Sequence, residues 1–574
     1  MATSTDQESP SKHDGSLRST SIQLQDINKE EEGKNSSLNV TRNNETHGAE
    51  SNANSNLVGW EDGNDEANPQ NWPEPKKWGM IILLAFITFI TPLASSMFAP
   101  GIPQVLEEFG STSNTLATFL VSIFVLGFAF GPLLMAPMSE IYGRLPVYNI
   151  CNVLFLIFTI LSAVATNMGM LLAVRFLAGV AGVAVITCGG GSISDMMPPE
   201  KRGRAMAIWS VGPILGPMIG PVVGGFLCES KGWRWVFWVL TILSGVITLI
   251  SFFLLRETYA PVLLTRKVAR LRKETGNTAL CSKLDTGLSE KDAFLYNIVR
   301  PAKMFIFSPI VTMMCVYIAV AYGLLYILFT TFTFVFRDQY GFNSSMAGLS
   351  FLGSGVGTVA GLAYAGTLSD RSIRSVIKAG RQPRPEDRLP PIITFPAALA
   401  IPAGLFIYGW GAEKRVHWIV PEIGTAVTGF GMIGIVMCVQ TYLIDAFTSH
   451  SASVIAASAV LRSLFGALFP LFGLNLYNKL GLGWGNSLLA FIALALAIVP
   501  WAFWVIYNVA YQEALATYDK YSDETERLEF RAIVRQHETY NLQTVANKPI
   551  EFTAAKNRTV EQRNYRSLRL NFLR

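Results

Sequence analysis

The sequence predicts an all-α integral membrane protein with twelve transmembrane helices in two sets of six. Half of its 574 residues are apolar and only 15% are charged, whereas soluble domains carry about 25% charged residues. The charges are concentrated in the tails and a few loops, and about 20 apolar residues suffice to cross a bilayer. The predicted spans 1 to 12 lie at residues 79–100, 115–137, 146–165, 168–190, 205–228, 234–255, 304–331, 346–368, 392–411, 417–446, 454–478 and 484–508.

These spans divide the chain into five regions. The regions are an N-terminal tail at 1–77, a first six-helix bundle at 78–255, a central loop at 256–303, a second six-helix bundle at 304–508 and a C-terminal tail at 509–574. The N-terminal tail is rich in Ser, Asn and Glu and lacks an apolar segment, so we expect it to be disordered and to contain no signal peptide. Lys and Arg are concentrated in alternate loops, which predicts that both termini and the central loop are cytoplasmic.

The composition argues against several functional classes. The net charge is only +5 and no basic domain is present, so nucleic-acid binding has no support. The six cysteines are scattered without a CxxC or Cys/His cluster, which indicates neither a disulfide framework nor a metal site. No GxxxxGK[ST] phosphate loop occurs, which excludes ATP-driven transport. Without a paired nucleophile and base or a cofactor loop, the sequence predicts no enzyme and no cofactor.

Span 5 carries a regular glycine-proline repeat. The sequence GPILGPMIGPVVGG contains Gly212, Pro213, Gly216, Pro217, Gly220, Pro221, Gly224 and Gly225. Steps of four residues keep the glycines on one helix face, where another helix can approach at backbone distance. The alternative is a close-packed span of a generic kind, but three Gly-Pro steps in register favour a helix built for tight packing and bending.

Spans 2 and 8 end in a similar pattern of charges. Span 2 is followed by Glu140, Gly143 and Arg144, and span 8 by Asp370 and Arg371. An acid at such a position can accept hydrogen bonds from the next helix and can pair with arginine. We therefore predict that these five residues form conformational latches, while the simpler interpretation is a charged loop beside each span. Asp195 is interpreted as a loop-end residue.

A few polar groups lie within the predicted spans. Arg175 lies in span 4, where a charged side chain is costly in a bilayer. We therefore predict that it has a function, with a simple anchor as the alternative. Arg462 in span 11 is placed similarly, with packing against a helix-end carbonyl as its alternative. Asp445, at the inner end of span 10, could pair with an arginine or titrate. Otherwise the spans are interpreted as nearly free of carboxylates.

The remaining polar and aromatic groups predict the character of a substrate cavity. Aromatic side chains with a few hydrogen-bonding groups suit amphipathic or neutral organic molecules, although each of these residues could equally serve ordinary packing. The cavity candidates are Tyr322, Tyr326, Phe329, Thr330, Gln440 and Asn475.

Taken together, these motifs resemble the major facilitator superfamily, in particular its twelve-span fungal drug:proton antiporters. In that superfamily the loop after span 2 reads G-x-x-x-D-x-x-G-R-[KR], and here Ala136, Glu140, Gly143, Arg144 and Leu145 occupy the five specified positions. The span 5 repeat resembles the antiporter motif of the family. The sequence VRFLAGVAG of span 4 is similar to the motif whose arginine, here Arg175, is implicated in proton coupling. The resemblance covers residues 68–510.

The resemblance implies the major facilitator fold, with a central cavity between two bundles and alternating access. It implies proton-driven export of a hydrophobic or amphipathic small molecule, such as a drug, toxin or secondary metabolite. The expected partners are this substrate, protons and the lipid bilayer. We expect a monomer in the plasma membrane, with the vacuolar membrane as the alternative.

Two other functions remain open on the sequence. A proton symporter could import a nutrient or an organic acid, although the span 5 repeat favours an antiporter. A non-transporting membrane sensor or scaffold is an alternative of another class, disfavoured by the intact coupling motifs.

Overall fold

The computed structural model describes residues 56–60, 65–284, 290–378, 380, 385–447, 451–502 and 504–505. The predictions for the C-terminal tail and for most of the N-terminal tail lie outside these residues. Within them, eleven helical segments are long and apolar enough to cross a membrane. The apolar runs of the sequence thus form the membrane-crossing helices that they predict, in the expected order.

The first half contains spans 1 to 6. Its α-helices are Glu74–Ser96 and Ile102–Glu108 (span 1), Asn114–Ile141 (span 2), Arg144–Ala163 (span 3), Met168–Gly182 and Ala184–Met196 (span 4), Pro199–Lys231 (span 5) and Arg234–Leu254 (span 6). Polar side chains cap several of them. For example, Asn167 Oδ1 accepts the Met170 N–H at 2.8 Å, which satisfies a donor that the first turn of span 4 leaves free.

The second half contains spans 7 to 12, preceded by a further helix that we call the linker helix, Glu290–Phe307. Its α-helices are Pro309–Tyr340 (span 7), Ser344–Leu349 and Phe351–Lys378 (span 8), Pro391–Glu413 (span 9), Ile419–Ala446 (span 10), and Ser451–Leu468 and Pro470–Leu496 (spans 11 and 12). Short 3-10 helices lie at Pro69–Asn71, Ala99–Gly101 and Pro385–Arg388.

The last two predicted spans are joined in one long helical segment. The segment Ser453–Ala502 has 50 residues and would extend about 75 Å as a straight helix, more than twice the thickness of a hydrocarbon core. Gly481 interrupts it with φ 79° and ψ 169°, a conformation that residues with a side chain rarely adopt. The segment therefore comprises two spans that meet at Gly481, close to the predicted boundary.

A small separate unit is formed by described parts of residues 1–71 and 260–287. Two-residue strands, β1 (Leu57–Val58) and β2 (Cys281–Ser282), pair in parallel. The unit also contains the helix Ala260–Thr275, on which Lys267 Nζ lies 2.8 Å from Asp65 Oδ2. Among the described residues, all other regular secondary structure is helical.

Helices within each half pack at backbone distance through glycine. A Cβ added to Gly357 of span 8 would lie 1.8 Å from the Ala426 carbonyl oxygen of span 10, and one added to Gly424 of span 10 would lie 2.5 Å from the Tyr408 nitrogen of span 9. Side chains larger than hydrogen would separate these helices. Small residues at such contacts are what holds helices together in lipid, where the hydrophobic effect no longer drives them into contact.

Candidate functional site

A charge cluster lies where spans 2 and 4 end and span 3 begins, on the side that carries the basic loops. Arg144, the first residue of span 3, donates from Nη1 to Ser139 Oγ at 2.8 Å. Its Nε lies 3.5 Å from Asp195 Oδ2 at the end of span 4, and its guanidinium lies 5.0 Å from the centre of the Tyr259 ring. Asp195, interpreted from sequence as a loop-end residue, is therefore the ion-pair partner of Arg144.

The N-terminus of span 3 is capped by a residue that sequence reasoning missed. The buried carboxylate of Glu257 accepts the backbone N–H groups of Arg144 at 2.9 Å and Leu145 at 3.1 Å. Gly143 allows this contact, because it has φ 100° and because an added Cβ would lie 2.3 Å from Glu257 Oε2. Glu257 is 113 residues from Arg144 along the chain, so the only sequence signal is an acid directly after span 6.

Glu140 has a different partner from the one expected. We predicted that an acid at this position would bind the next helix and pair with arginine. The structure places Glu257 at the start of span 3, and Glu140 Oε2 accepts instead from Asn297 Nδ2 of the linker helix at 2.6 Å. Glu140 therefore connects the first half to the helix that leads into the second half.

The second half contains a matching charge cluster. Arg388 donates from Nε to Asp445 Oδ2 at 2.8 Å, and its Nη1 lies 3.4 Å from Ser369 Oγ and 3.9 Å from Asp370 Oδ1. Ser369 and Asp445 correspond to Ser139 and Asp195 of the first half. Arg371, the arginine predicted for this latch, is exposed and belongs to no ion pair among the described residues. The arginine of this cluster comes instead from the 3-10 helix Pro385–Arg388, which directly precedes span 9.

The glycine face of span 5 packs on span 1. A Cβ added to Gly212 would lie 2.9 Å from the Ala85 carbonyl oxygen, and one added to Gly224 would lie 1.8 Å from that of Met97. Gly216 and Gly220 are enclosed in the same way. The helix Pro199–Lys231 continues through all three prolines, so the close contact, and not an interruption of the helix, is what the repeat produces.

The end of span 5 contacts the start of span 8, which joins the two halves. A Cβ added to Gly225 would lie 3.2 Å from the Gly348 Cα. Next to this contact, the Glu229 carboxylate accepts from Asn343 Nδ2 at 2.9 Å and from the Ser345 N–H at 3.0 Å, and also from the Ser345 hydroxyl. We call this group the outer contact, because it lies opposite the basic loops.

Arg175 is enclosed within the first half. Its side chain is 1% exposed, and its Nε donates to the Leu120 carbonyl at 2.7 Å. The guanidinium faces the rings of Phe98, Phe124 and Phe237 at 4.8, 5.3 and 5.6 Å. Its Nη2 has no hydrogen-bond partner among the described residues. A positive charge is thus held by one carbonyl and three aromatic faces, with no ion-pair partner in the part of the chain that the structure describes.

The predicted cavity residues do not form one cluster. Phe329 packs against Phe351 of span 8, with 5.6 Å between ring centres, and Thr330 Oγ1 donates to the Tyr326 carbonyl of its own helix. Asn475 Nδ2 donates to Thr115 Oγ1 of span 2 at 3.3 Å, and Gln440 is half-buried in span 10. Phe329 also contacts the Tyr326 ring, with 5.8 Å between ring centres, while Asn475 joins the two halves.

Tyr322 and Tyr326 instead lie beside Arg462. The Arg462 guanidinium is 5.0 Å from the centre of the Tyr322 ring, and the Tyr326 hydroxyl lies next to that of Ser95 in span 1. One turn beyond Arg462, a Cβ added to Gly466 would lie 3.1 Å from Tyr326 and 3.3 Å from Val125 of span 2. Spans 1, 2, 7 and 11 converge here.

Span 10 contains a carboxylate that the sequence analysis did not single out. Glu422 Oε1 accepts the Gly353 N–H of span 8 at 2.8 Å. Its Oε2 is buried and has no hydrogen-bond partner among the described residues. Glu422 falls within the predicted span 417–446, so the sequence did contain this signal, but at the outer end of a long apolar run it was overlooked.

Comparison with known proteins agrees with this architecture. The sequence model of the Major Facilitator Superfamily matches residues 84–470. The MFS-type transporter penM of Penicillium rubens is 52% identical over 466 residues, which cover 81% of this chain and 90% of the relative. The efflux pump radE of Floropilus chiversii is 50% identical over 448 residues, which cover 78% of this chain and 83% of the relative.

Solved structures show the same fold at low sequence identity. A bacterial homologue of the human lysosomal transporter Spinster, in an inward-facing conformation, has a TM-score of 0.54 and 15% identity, covering 76% of this chain and 97% of its own. The E. coli xylose transporter XylE, in a partially occluded inward open conformation, has the same TM-score and identity, with coverages of 75% and 98%. Fold and sequence together define a multi-pass membrane transporter, not an enzyme. The chain belongs to the major facilitator superfamily.

Proposed function

We propose that this transporter exports hydrophobic or amphipathic small molecules from the cytoplasm, driven by proton entry through alternating access. The observation that carries the proposal is the distribution of polar contacts. The Arg144 and Arg388 clusters each hold one half together on the basic side, while the outer contact of Glu229 joins the two halves on the opposite side. Such an arrangement supports rocking of two rigid halves about a closed outer end.

Span 5 supports export over uptake. Its glycine face lies against the backbone of span 1, and its end lies against span 8. A seal made of backbone contacts leaves little room for water, and hence for protons, to pass between the halves. The name of the relative radE, an efflux pump, agrees with this direction of transport.

Glu422 is our candidate for the proton-carrying carboxylate, and Arg175 for a residue that tunes proton coupling. Glu422 is half-buried, with one oxygen bound to a single N–H and a buried oxygen without a partner among the described residues, so its charged form is poorly satisfied. A carboxylate of this kind readily takes up a proton. Its position at the outer end of span 10 suits proton entry from outside, because the basic loops predict that this end faces away from the cytoplasm.

The test is compound sensitivity in a fungal strain stripped of its own pumps. Cells with the wild-type chain should become resistant to a substrate and should contain less of it, and a proton uncoupler should abolish both effects. Glu422→Gln keeps an oxygen acceptor for the Gly353 N–H but cannot exchange a proton, and Arg175→Ala removes the enclosed charge. Both variants should lose energised export at equal membrane expression. Greater accumulation in energised wild-type cells would instead establish uptake.

We further propose the plasma membrane as the location, with both termini cytoplasmic and the monomer as the working unit. The concentration of Lys and Arg in the central loop and its neighbours supports this orientation. Microscopy of a tagged chain would test the membrane, and protease protection of tags at each terminus would test the orientation.

A further inference from the structure

We infer that the substrate carries a negative charge or a strongly acidic group, and that Arg462 binds this group beside Tyr322 and Tyr326. The inference names the substrate class of the exporter proposed above and so rests on that proposal. It begins with the location of charge in the four helices that converge at Arg462.

Arg462 is the only charged residue in the middle of spans 1, 2, 7 and 11. The other charged residues of these helices lie at their ends: Glu74, Lys76, Lys77, Glu107 and Glu108 in span 1, Glu140 in span 2, Arg337 and Asp338 in span 7, and Lys479 in span 11. A positive charge near mid-membrane requires compensation, since a bilayer solvates it poorly. Arg462 takes part in no ion pair among the described residues.

The environment of Arg462 compensates that charge only in part. One aromatic ring, Tyr322, lies beneath the guanidinium at 5.0 Å. By contrast, the fully enclosed guanidinium of Arg175 faces three rings and donates to a carbonyl. Arg462 and Tyr322 both remain partly accessible. Guanidinium N–H groups therefore remain available, and their planar fork matches a carboxylate or sulfonate.

The position of Arg462 suits contact with a substrate. Gly466, one turn further along span 11, abuts Tyr326 of span 7 and Val125 of span 2, which belongs to the other half. Ser95 of span 1 meets Tyr326 at the same level. Span 11 runs outward from the basic side, so Arg462 lies on the cytoplasmic side of this contact between the halves. A substrate that enters from the cytoplasm would meet Arg462 before it meets the closure.

The aromatic side chains and the arginine together define the ligand chemistry. The partly exposed Tyr322 offers a ring face and a hydroxyl group to an apolar skeleton, with the buried Tyr326 behind it, while Arg462 offers charge-assisted hydrogen bonds to an anion. Cationic compounds should be disfavoured, because no carboxylate faces this group within the described residues. We therefore expect an amphipathic organic acid as substrate.

The test compares two probes that differ in one group, 7-(diethylamino)coumarin-3-carboxylic acid and its neutral carboxamide. Their affinities for the purified full-length chain in lipid nanodiscs would be measured by fluorescence anisotropy. We expect the wild-type chain to bind the acid at least tenfold more tightly than the amide, which corresponds to about 1.4 kcal/mol. Arg462→Gln should remove this preference by weakening the binding of the acid while leaving that of the amide unchanged. Arg462→Lys should retain part of the preference. Arg374→Gln, at an exposed arginine of span 8, removes the same charge and should keep the preference.

The outcomes separate the inference from the proposed function. Equal wild-type affinities for the two probes, or no binding of the acid, would overturn the inference. Equal weakening of both probes by Arg462→Gln would also overturn it, since that result indicates a structural role. Absence of uncoupler-sensitive export from cells with the wild-type chain would instead contradict the proposed function. Binding of the acid through Arg462 is measured without a proton gradient and does not depend on that result.

Discussion

Substitution of Gly224 by alanine gives the sharpest test of the span 5 packing. The added Cβ would lie 1.8 Å from the Met97 carbonyl oxygen, whereas ordinary contacts of a Cβ begin at 3.4 Å. Span 1 must therefore move away by about 1.6 Å, because the group in the way is a backbone carbonyl, that of the residue capping the helix Glu74–Ser96, and not the flexible end of a side chain. Movements of this size in a packed interior typically cost about 1–3 kcal/mol.

Gly203 provides a matched control within the same helix. A Cβ at Gly203 meets nothing within 4 Å, so Gly203→Ala changes only helix propensity, which favours alanine by about 1 kcal/mol. Gly224→Ala gains the same propensity but also incurs the steric cost. The two variants therefore predict shifts of opposite sign in thermal stability.

The assay is thermal unfolding of purified protein in detergent, followed by intrinsic tryptophan fluorescence, with transport measured in parallel. Gly203→Ala should unfold at or slightly above the wild-type temperature and transport normally. Gly224→Ala should unfold at a lower temperature and lose most of its transport. If both variants unfolded at the same temperature and transported equally well, the claim that span 5 packs on span 1 at backbone distance would be refuted.

Three further predictions concern the polar contacts. Arg388→Gln should reduce transport several-fold, because it removes the guanidinium that Asp370 and Asp445 share. Arg371→Gln should leave transport nearly unchanged. The reverse order in a transport assay would restore the sequence-based assignment. Glu257→Ala should lower the free energy of unfolding by about 1–3 kcal/mol, since two buried N–H groups of span 3 lose their acceptor, and unchanged denaturation in a graded series of harsher detergents would contradict the cap. Glu229→Ala should weaken the outer contact and speed labelling by an impermeant maleimide of a cysteine introduced at Met218, a residue of span 5 that lies against Gly355 of span 8. An unaltered labelling rate would argue against a role of Glu229 in closure.

Sequence reasoning succeeded where the physical cause is local. Twelve apolar runs predict twelve spans because the length needed to cross a bilayer is set by helix rise alone. The spacing of Gly212, Gly216, Gly220 and Gly224 predicts a shared face because helix periodicity alone determines it. Gly481, with its positive φ, lies just after the predicted end of span 11.

The partners of the charged groups could not be obtained in this way. Arg144 and Arg388 occupy matching clusters, yet the second arginine comes 18 residues after Asp370 while the first comes four after Glu140. Aligning the two acids led instead to the arginine that directly follows Asp370, which is Arg371. Glu257 was missed because its acceptor role depends on where span 6 ends relative to the start of span 3, which no short window of sequence contains.

The sequence by itself therefore determined that this protein is an all-helical membrane protein, and which helix face allows close contact. Both follow from hydropathy and helix periodicity, which act over about 20 residues. Only the tertiary structure decided that Asp195 binds Arg144, that Glu229 joins the halves, and that Arg462 remains accessible where four helices converge. These contacts join residues tens to hundreds of positions apart, and their strength depends on burial and on distances of a few ångströms, which only the packed arrangement of the helices sets.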